Sequence, residues 1–187
     1  WPGASSQGYR LDRVCEALAS EGFVTFAPIR ETSPRGRGFD RYEEKYREIV
    51  MHAVDHAKTL PKADASRIAL AGFSMGGLVS FLVSTDRSDL RALALLAPAA
   101  GRGVIAQGVQ RIAAITAPTL VLIEAGDAPP IRRGVEMIEK TMRDQNKNIK
   151  VVRYERGGGH ALFYDLGYWW DDLRAFLREH LSGSGTR

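Results

Sequence analysis

The sequence predicts an α/β fold, a mostly parallel sheet flanked by helices on both faces. Three observations carry that expectation. Short apolar runs recur at 23–27, 67–72, 92–98, 119–126 and 149–155. Between them lie stretches whose apolar residues fall three and four apart, the helical period. The runs are largely continuous rather than alternating, which suits strands covered on both faces. Regular strand–helix alternation is the pattern of a parallel sheet with right-handed crossovers.

Taken in order, 11–19 is an amphipathic helix closed by Gly22. "FVTFA" at 23–27 is a strand stopped by Pro28, and the loop "RETSPRGRGF" follows it. Residues 40–60 form a long helix with Tyr46, Ile49, Val50, Ala53, Val54 and Ala57 on its inner side. Then come strand 67–72, helix 75–84, strand "ALALLAP" (92–98) and a short helix over 104–115. Strand "TLVLIEAG" (119–126), helix 130–144, strand "IKVVRYE" (149–155) and helix 167–181 complete the series. The stretch from 98 to 118 is too short for a large lid, and no internal repeat is present. One domain is expected over 1–181, with "SGSGTR" (182–187) as a flexible tail.

Composition narrows the function classes. The chain has 187 residues, 44% hydrophobic and 26% charged, as in an ordinary globular domain. The net charge of +4 is a mild basic excess. It comes with no aromatic-interleaved basic stripe and no zinc-finger or RRM signature, so nucleic acid is not an expected partner. The single cysteine, Cys15, excludes an intrachain disulfide framework. Its helical spacing with Leu11, Val14 and Leu18 predicts a buried small side chain. No apolar run approaches the ~20 residues of a membrane span. No stretch reads as a secretory leader, and a cytoplasmic location is expected, although the chain opens at Trp1 rather than Met. A homo-oligomer is left open.

The chemistry concentrates past the strand ends, where a parallel sheet gathers its sites. "LAGFSMGGLVSF" places Ser74 between Gly72 and Gly76, at a strand-to-helix junction. This is the G-x-S-x-G pattern of a nucleophile elbow. The glycines permit a sharp turn, and the serine hydroxyl stands at a helix N-terminus. Such a serine needs a base, and the base needs an orienting acid. Asp127 follows strand 119–126 in "EAGDAPP", and His160 follows strand 149–155 in "RGGGHALF". The order Ser, Asp, His is that of one known triad arrangement.

Plainer roles compete with these. Asp127 could cap the helix near Pro130, His160 could be a passive loop residue, and Ser74 a turn serine. Glu124 is the runner-up acid, within its strand rather than past it. His52 and His56 have zinc-ligand spacing, but Ala-Val-Asp lies between them and no third ligand is evident. They read as a solvated helix flank, and neither metal nor cofactor is expected. His180 suits a helix C-terminus and needs no further role.

These segments resemble the α/β-hydrolase superfamily, most nearly its dienelactone-hydrolase-like and small serine-esterase branches, over nearly the whole chain. "GFSMGG", "EAGD" and "GGGHALF" look like the nucleophile, acid and base segments, and "WPGASSQGYRLDRVCEALASEGFVTFAP" like the oxyanion loop, first helix and following strand. The resemblance implies an α/β-hydrolase fold and a Ser74–His160–Asp127 triad cleaving small carboxylic esters through an acyl-enzyme. Dienelactone hydrolases proper use cysteine; Ser74 departs from that and favours general esters over lactones. Two backbone N–H groups would hold the oxyanion, one from Met75. The other would come from Trp1-Pro2-Gly3-Ala4-Ser5, where Pro2 has none to give and Trp1 is favoured over Gly3.

The resemblance also implies a strand between 23–27 and 67–72 for which this sequence, with the family's N-terminal strands missing ahead of Trp1, has no counterpart. Residues outside this numbering could fill that place, a partner chain could, or the two flanking strands could pair directly. Arg30, Arg35, Arg37 and Arg41 cluster past 23–27. Arg30, nearest the strand end, is the candidate clamp for a substrate carboxylate, against a merely solvated loop. An acyl-peptidase, thioesterase or lactonase on the same scaffold, or a non-catalytic binding module, is the alternative to the esterase.

Overall fold

The structure is a computed structural model that describes residues 10–28 and 39–182. A four-stranded parallel sheet, β1 (Ala69–Phe73), β2 (Ala92–Leu96), β3 (Thr119–Glu124) and β4 (Ile149–Tyr154), runs in that spatial order. Its register aligns Phe73 with Leu96, Leu96 with Leu122 and Leu122 with Val152 across the sheet. The strands therefore all deliver their following loops to one edge. β2 and β3 are buried throughout, as "ALALL" and "TLVLIE" require. β4 is an outer strand and exposes Lys150 and Arg153, charges that discourage edge-to-edge association.

The described residues form six α-helices around the sheet: α1 (Leu11–Ser20), α2 (Phe39–Ala57), α3 (Met75–Ser84), α4 (Val104–Val109), α5 (Pro129–Asp144) and α6 (Tyr168–Leu181). On one face Leu93, Leu95, Val121 and Ile123 pack against Leu78, Phe81, Ile105, Val135, Ile138 and Met142 from α3, α4 and α5. These helices connect neighbouring strands that all step the same way, so crossovers of one hand put them on one side. On the other face Ala94, Leu96, Leu120 and Leu122 meet Val14 of α1 and Trp169, Leu173, Phe176 and Leu177 of α6. The expected α/β architecture with both faces covered is what the chain forms.

α3 is buried from Gly76 to Ser84. It is apolar all round because a second layer covers it: Tyr46 and Val50 of α2 pack on Val79 and Val83. Arg87, just past α3, fastens that layer. Its guanidinium pairs with Asp55 of α2 at 2.8 Å and with Asp89 at 2.6 Å. The hydrogen bond from Arg87, with Lys58 adding to it, holds the Asp89 carboxyl well below the usual carboxylate range. Among the described residues no helix is long and apolar enough to cross a membrane.

Two expectations are corrected. Residues 23–28 form no strand, although "FVTFA" has strand composition. A strand needs a ladder partner, and direct pairing with β1 does not occur. A cavity of about 490 Å³ separates the two segments, walled by residues 23–28 on one side and 68–72 on the other. Val24 and Phe26 are left about half exposed. Cys15 lines the same cavity and is only half-buried, not a core side chain; burial still pushes its thiol pKa up. Smaller differences concern ends. The helix expected over 104–115 stops at Val109, and a 3₁₀ turn over Ile112–Ala114 replaces its second half.

Candidate active site

Ser74 sits between the last residue of β1 and the first of α3, in a conformation that L-residues seldom adopt, φ 54° and ψ −116°. Such strain persists only where the surroundings over-determine the backbone. Here they do. The Ser74 N–H donates to the Leu96 carbonyl at 2.9 Å, and the Ser74 carbonyl accepts from Ala99 (2.9 Å) and Leu78 (3.0 Å). The turn is thus pinned to the end of β2 as well as to its own helix. Gly72 shows why the flanking glycine is required: a Cβ there would lie 2.3 Å from the Gly76 carbonyl oxygen. Helix and strand approach more closely than any side chain allows.

His160 enters from the other side, in the 3₁₀ turn Gly159–Phe163 after β4. Its run of glycines has a backbone cause. Gly157, Gly158 and Gly159 have φ of 77°, 87° and 51°, three successive left-handed residues that L side chains would strain. The imidazole packs against Phe73, with ring centroids 4.7 Å apart. Asp127 ends the loop after β3 and has a wholly buried side chain. It does not cap α5: Ala128 holds the N-cap position, with no side-chain cap. Instead Asp127 Oδ1 accepts from the Ala128 N–H at 2.7 Å, and Oδ2 faces His160 Nδ1 at 2.9 Å. His160 Nε2 lies 2.9 Å from Ser74 Oγ.

Three loops that are far apart in sequence therefore make one hydrogen-bonded line from Asp127 through His160 to Ser74. With Nδ1–H donating to Asp127, Nε2 faces the serine as an acceptor, the arrangement in which it can take the hydroxyl proton. Met75 begins α3, so its N–H has no carbonyl four residues back within the helix. Trp1 and Arg30 lie outside the described residues. His52 and His56 are exposed on α2, and His56 rests against Phe26 with ring centroids 5.1 Å apart.

Sequence reasoning gives Phe73 no part in this site and gives Glu124 a different one. Phe73 occupies the free position ahead of the serine, and a bulky aromatic there was the available signal. The sequence offers Glu124 only as an alternative acid for His160. It ends β3, is 2% exposed and faces backbone rather than imidazole: its carboxylate accepts from the N–H groups of Gly126 and Gly157. The 490 Å³ cavity touches Gly72 and Gly76, but Ser74, Asp127 and His160 do not line it.

Comparison with known proteins follows the same lines. No curated protein matches. Among solved structures, an acetyl xylan esterase from Paenibacillus sp. R4 superposes with a TM-score of 0.65 at 17% identity, over 94% of this chain and 72% of that one. A candidate dienelactone hydrolase from Klebsiella pneumoniae subsp. pneumoniae MGH 78578 gives 0.54 at 19% identity, over 75% of this chain. The match spans only 62% of the Klebsiella protein's length. The acylaminoacyl peptidase of Pyrococcus horikoshii gives 0.60 at 14% identity, over 77% of this chain and 30% of that one. At such identities these likenesses establish the α/β-hydrolase fold. The family model of the dienelactone hydrolases matches residues 5–168, most of the sequence, and this chain belongs to the dienelactone hydrolase family.

Proposed function

We propose that this chain is a serine hydrolase that cleaves small carboxylic esters through an acyl-enzyme. One observation carries the reading: the continuous Asp127–His160–Ser74 line, with both contacts at 2.9 Å. Ser74 Oγ attacks the ester carbonyl carbon while His160 Nε2 takes its proton. The imidazolium is stabilised by the Asp127 carboxylate and then protonates the departing alkoxide. Water repeats the sequence on the acyl-serine, regenerating Ser74 and releasing the acid.

The Met75 N–H is the first oxyanion donor in this reading, since it belongs to a helix N-terminus directly after the nucleophile. Trp1 would supply the second N–H, and Arg30 would hold a substrate carboxylate. The likeness to an acetyl xylan esterase agrees with a small acyl group, and a serine nucleophile agrees with general esters. The coordinated test uses p-nitrophenyl acetate and a serine-directed phosphonate. Wild type should release p-nitrophenol and carry the phosphonate on Ser74, while Ser74→Ala does neither and stays folded. An adduct on another serine, or equal turnover by Ser74→Ala, contradicts the reading.

A further inference from the structure

Glu124 is a buried carboxylate with no cationic partner among the described residues. Removing a carboxylate from water is costly unless its oxygens are satisfied, so the contacts it does make must account for it. Oε2 accepts from the Gly126 N–H at 2.5 Å and Oε1 from the Gly157 N–H at 3.1 Å. Gly126 immediately precedes Asp127, and Gly157 opens the glycine run that leads to His160. One side chain thus fastens the acid-bearing loop and the base-bearing loop to the end of β3.

The packing around this clamp is tight enough to transmit its geometry. A Cβ on Gly126 would lie 2.8 Å from Glu124 Oε2, and one on Gly159 would lie 3.1 Å from the Gly126 carbonyl oxygen. The Glu124 carbonyl also accepts from the Asp127 N–H at 3.0 Å, closing the turn that presents the acid. Three successive left-handed glycines have little conformational preference of their own, so the direction in which they deliver His160 must be set by what holds them.

We propose that Glu124 is a positioning residue. As a carboxylate with two acceptor oxygens, it fixes the Asp127–His160 contact by holding both loops at once. This rests on the hydrolase reading above. Glutamine is the informative replacement: it has one acceptor oxygen, and its NH₂ would confront either the Gly126 or the Gly157 N–H. An ångström of misplacement at a catalytic pair can cost ~100-fold. Glu124→Gln should therefore lower kcat for p-nitrophenyl acetate about 10- to 100-fold with KM within about twofold.

The decisive measurement is a double-mutant cycle on the rate of Ser74 phosphonylation. If Glu124 acts through Asp127 and His160, adding Glu124→Gln to Asp127→Asn should change that rate less than about twofold. Two outcomes overturn the proposal: a folded Glu124→Gln with wild-type kcat, or the same fold-loss in both backgrounds. A second measurement uses the wild-type protein and does not depend on any variant folding. In hydrogen exchange, the Gly126 and Gly157 amides should both be protected, and loop-like exchange at either would also overturn it. Failure of wild type to take phosphonate on Ser74 would instead remove the hydrolase reading, and the amide protection would still report whether the clamp exists.

Discussion

Replacing Asp127 by asparagine tests the direction of the hydrogen-bonded line, because the substitution changes one atom and leaves the shape alone. Asp127 accepts on both oxygens, from the Ala128 N–H at 2.7 Å and from His160 Nδ1 at 2.9 Å. Asparagine has only one acceptor. If its oxygen stays on the Ala128 N–H, its NH₂ donates to Nδ1, which must give up its proton. The proton moves to Nε2, which then donates to Ser74 Oγ and can no longer act as its base. If the amide turns round, its NH₂ meets the Ala128 N–H instead. Either way the reactive tautomer leaves two donors facing each other around a side chain with no solvent exposure.

Unsatisfied buried donors cost about 1–3 kcal/mol each, so the pair costs roughly 2–6 kcal/mol in forming the reactive state. At about 1.4 kcal/mol per decade, that range centres near a 10³-fold loss. Loss of the carboxylate's attraction for the imidazolium adds to it. Under the proposed reading, Asp127→Asn should therefore lower kcat/KM for p-nitrophenyl acetate by about 10³- to 10⁴-fold, the scale of loss that an Asp→Asn change brings to a Ser-His-Asp triad. Circular dichroism and the melting temperature verify that the variant is folded. A folded Asp127→Asn that keeps more than roughly a tenth of wild-type kcat/KM refutes the argument, since a loss under tenfold is below even the low end of the donor–donor cost.

Two further outcomes are expected. Gly72→Ala would set a Cβ 2.3 Å from the Gly76 carbonyl oxygen, a backbone atom that cannot swing aside, so the variant should lose more than about 3 kcal/mol or fail to fold; a denaturation midpoint near wild type contradicts the close approach. Asp89 is depressed by the Arg87 hydrogen bond, and an acid with a lowered folded pKa contributes stability that is present above its unfolded value near 3.9 and lost as pH falls through the folded one. Urea midpoints should accordingly be level above about pH 5 and fall below about pH 4. Arg87→Ala should shrink that fall, and an unchanged acid slope would show that the pair does not report on folding.

What was legible in the sequence was whatever depends on neighbours along the chain. β2 and β3 are continuous apolar runs because both their faces are covered, and the alternation with helices is that of a parallel sheet; the order of its strands is set by packing that no local pattern records. The segment 23–27 shows the limit. Its residues suit a strand, but a strand is a property of a pair, and the cavity beside β1 leaves this one unpaired. Cys15 has the helical spacing of a core residue but lines that cavity, so it is only half-buried for the same non-local reason. Strand ends ran too long where the apolar run outlasts the ladder, as at Ala97, which already turns to φ 40°. Gly108 is another local sign of a non-local fact: a Cβ there would meet the Phe81 ring at 2.5 Å, where α4 lies against α3.

The two acidic residues at the carboxyl end of β3, one inside the strand and one past it, carry this reasoning furthest. Asp127 and Glu124 are three positions apart, and composition cannot choose between them as partner for His160. The turn chooses. The Asp127 N–H bonds the Glu124 carbonyl at 3.0 Å, which closes the loop and leaves Asp127 Oδ2 facing the imidazole. Glu124, still in the ladder opposite Tyr154, has its carboxylate on backbone N–H groups. Exchanging the two residue types would not exchange their roles. Glutamate at 127 would carry its carboxylate one methylene too far for contacts of 2.7 and 2.9 Å, and aspartate at 124 would fall short of Gly157. Position relative to the strand end, rather than acidity, separates the residue that meets the histidine from the residue that holds the loops.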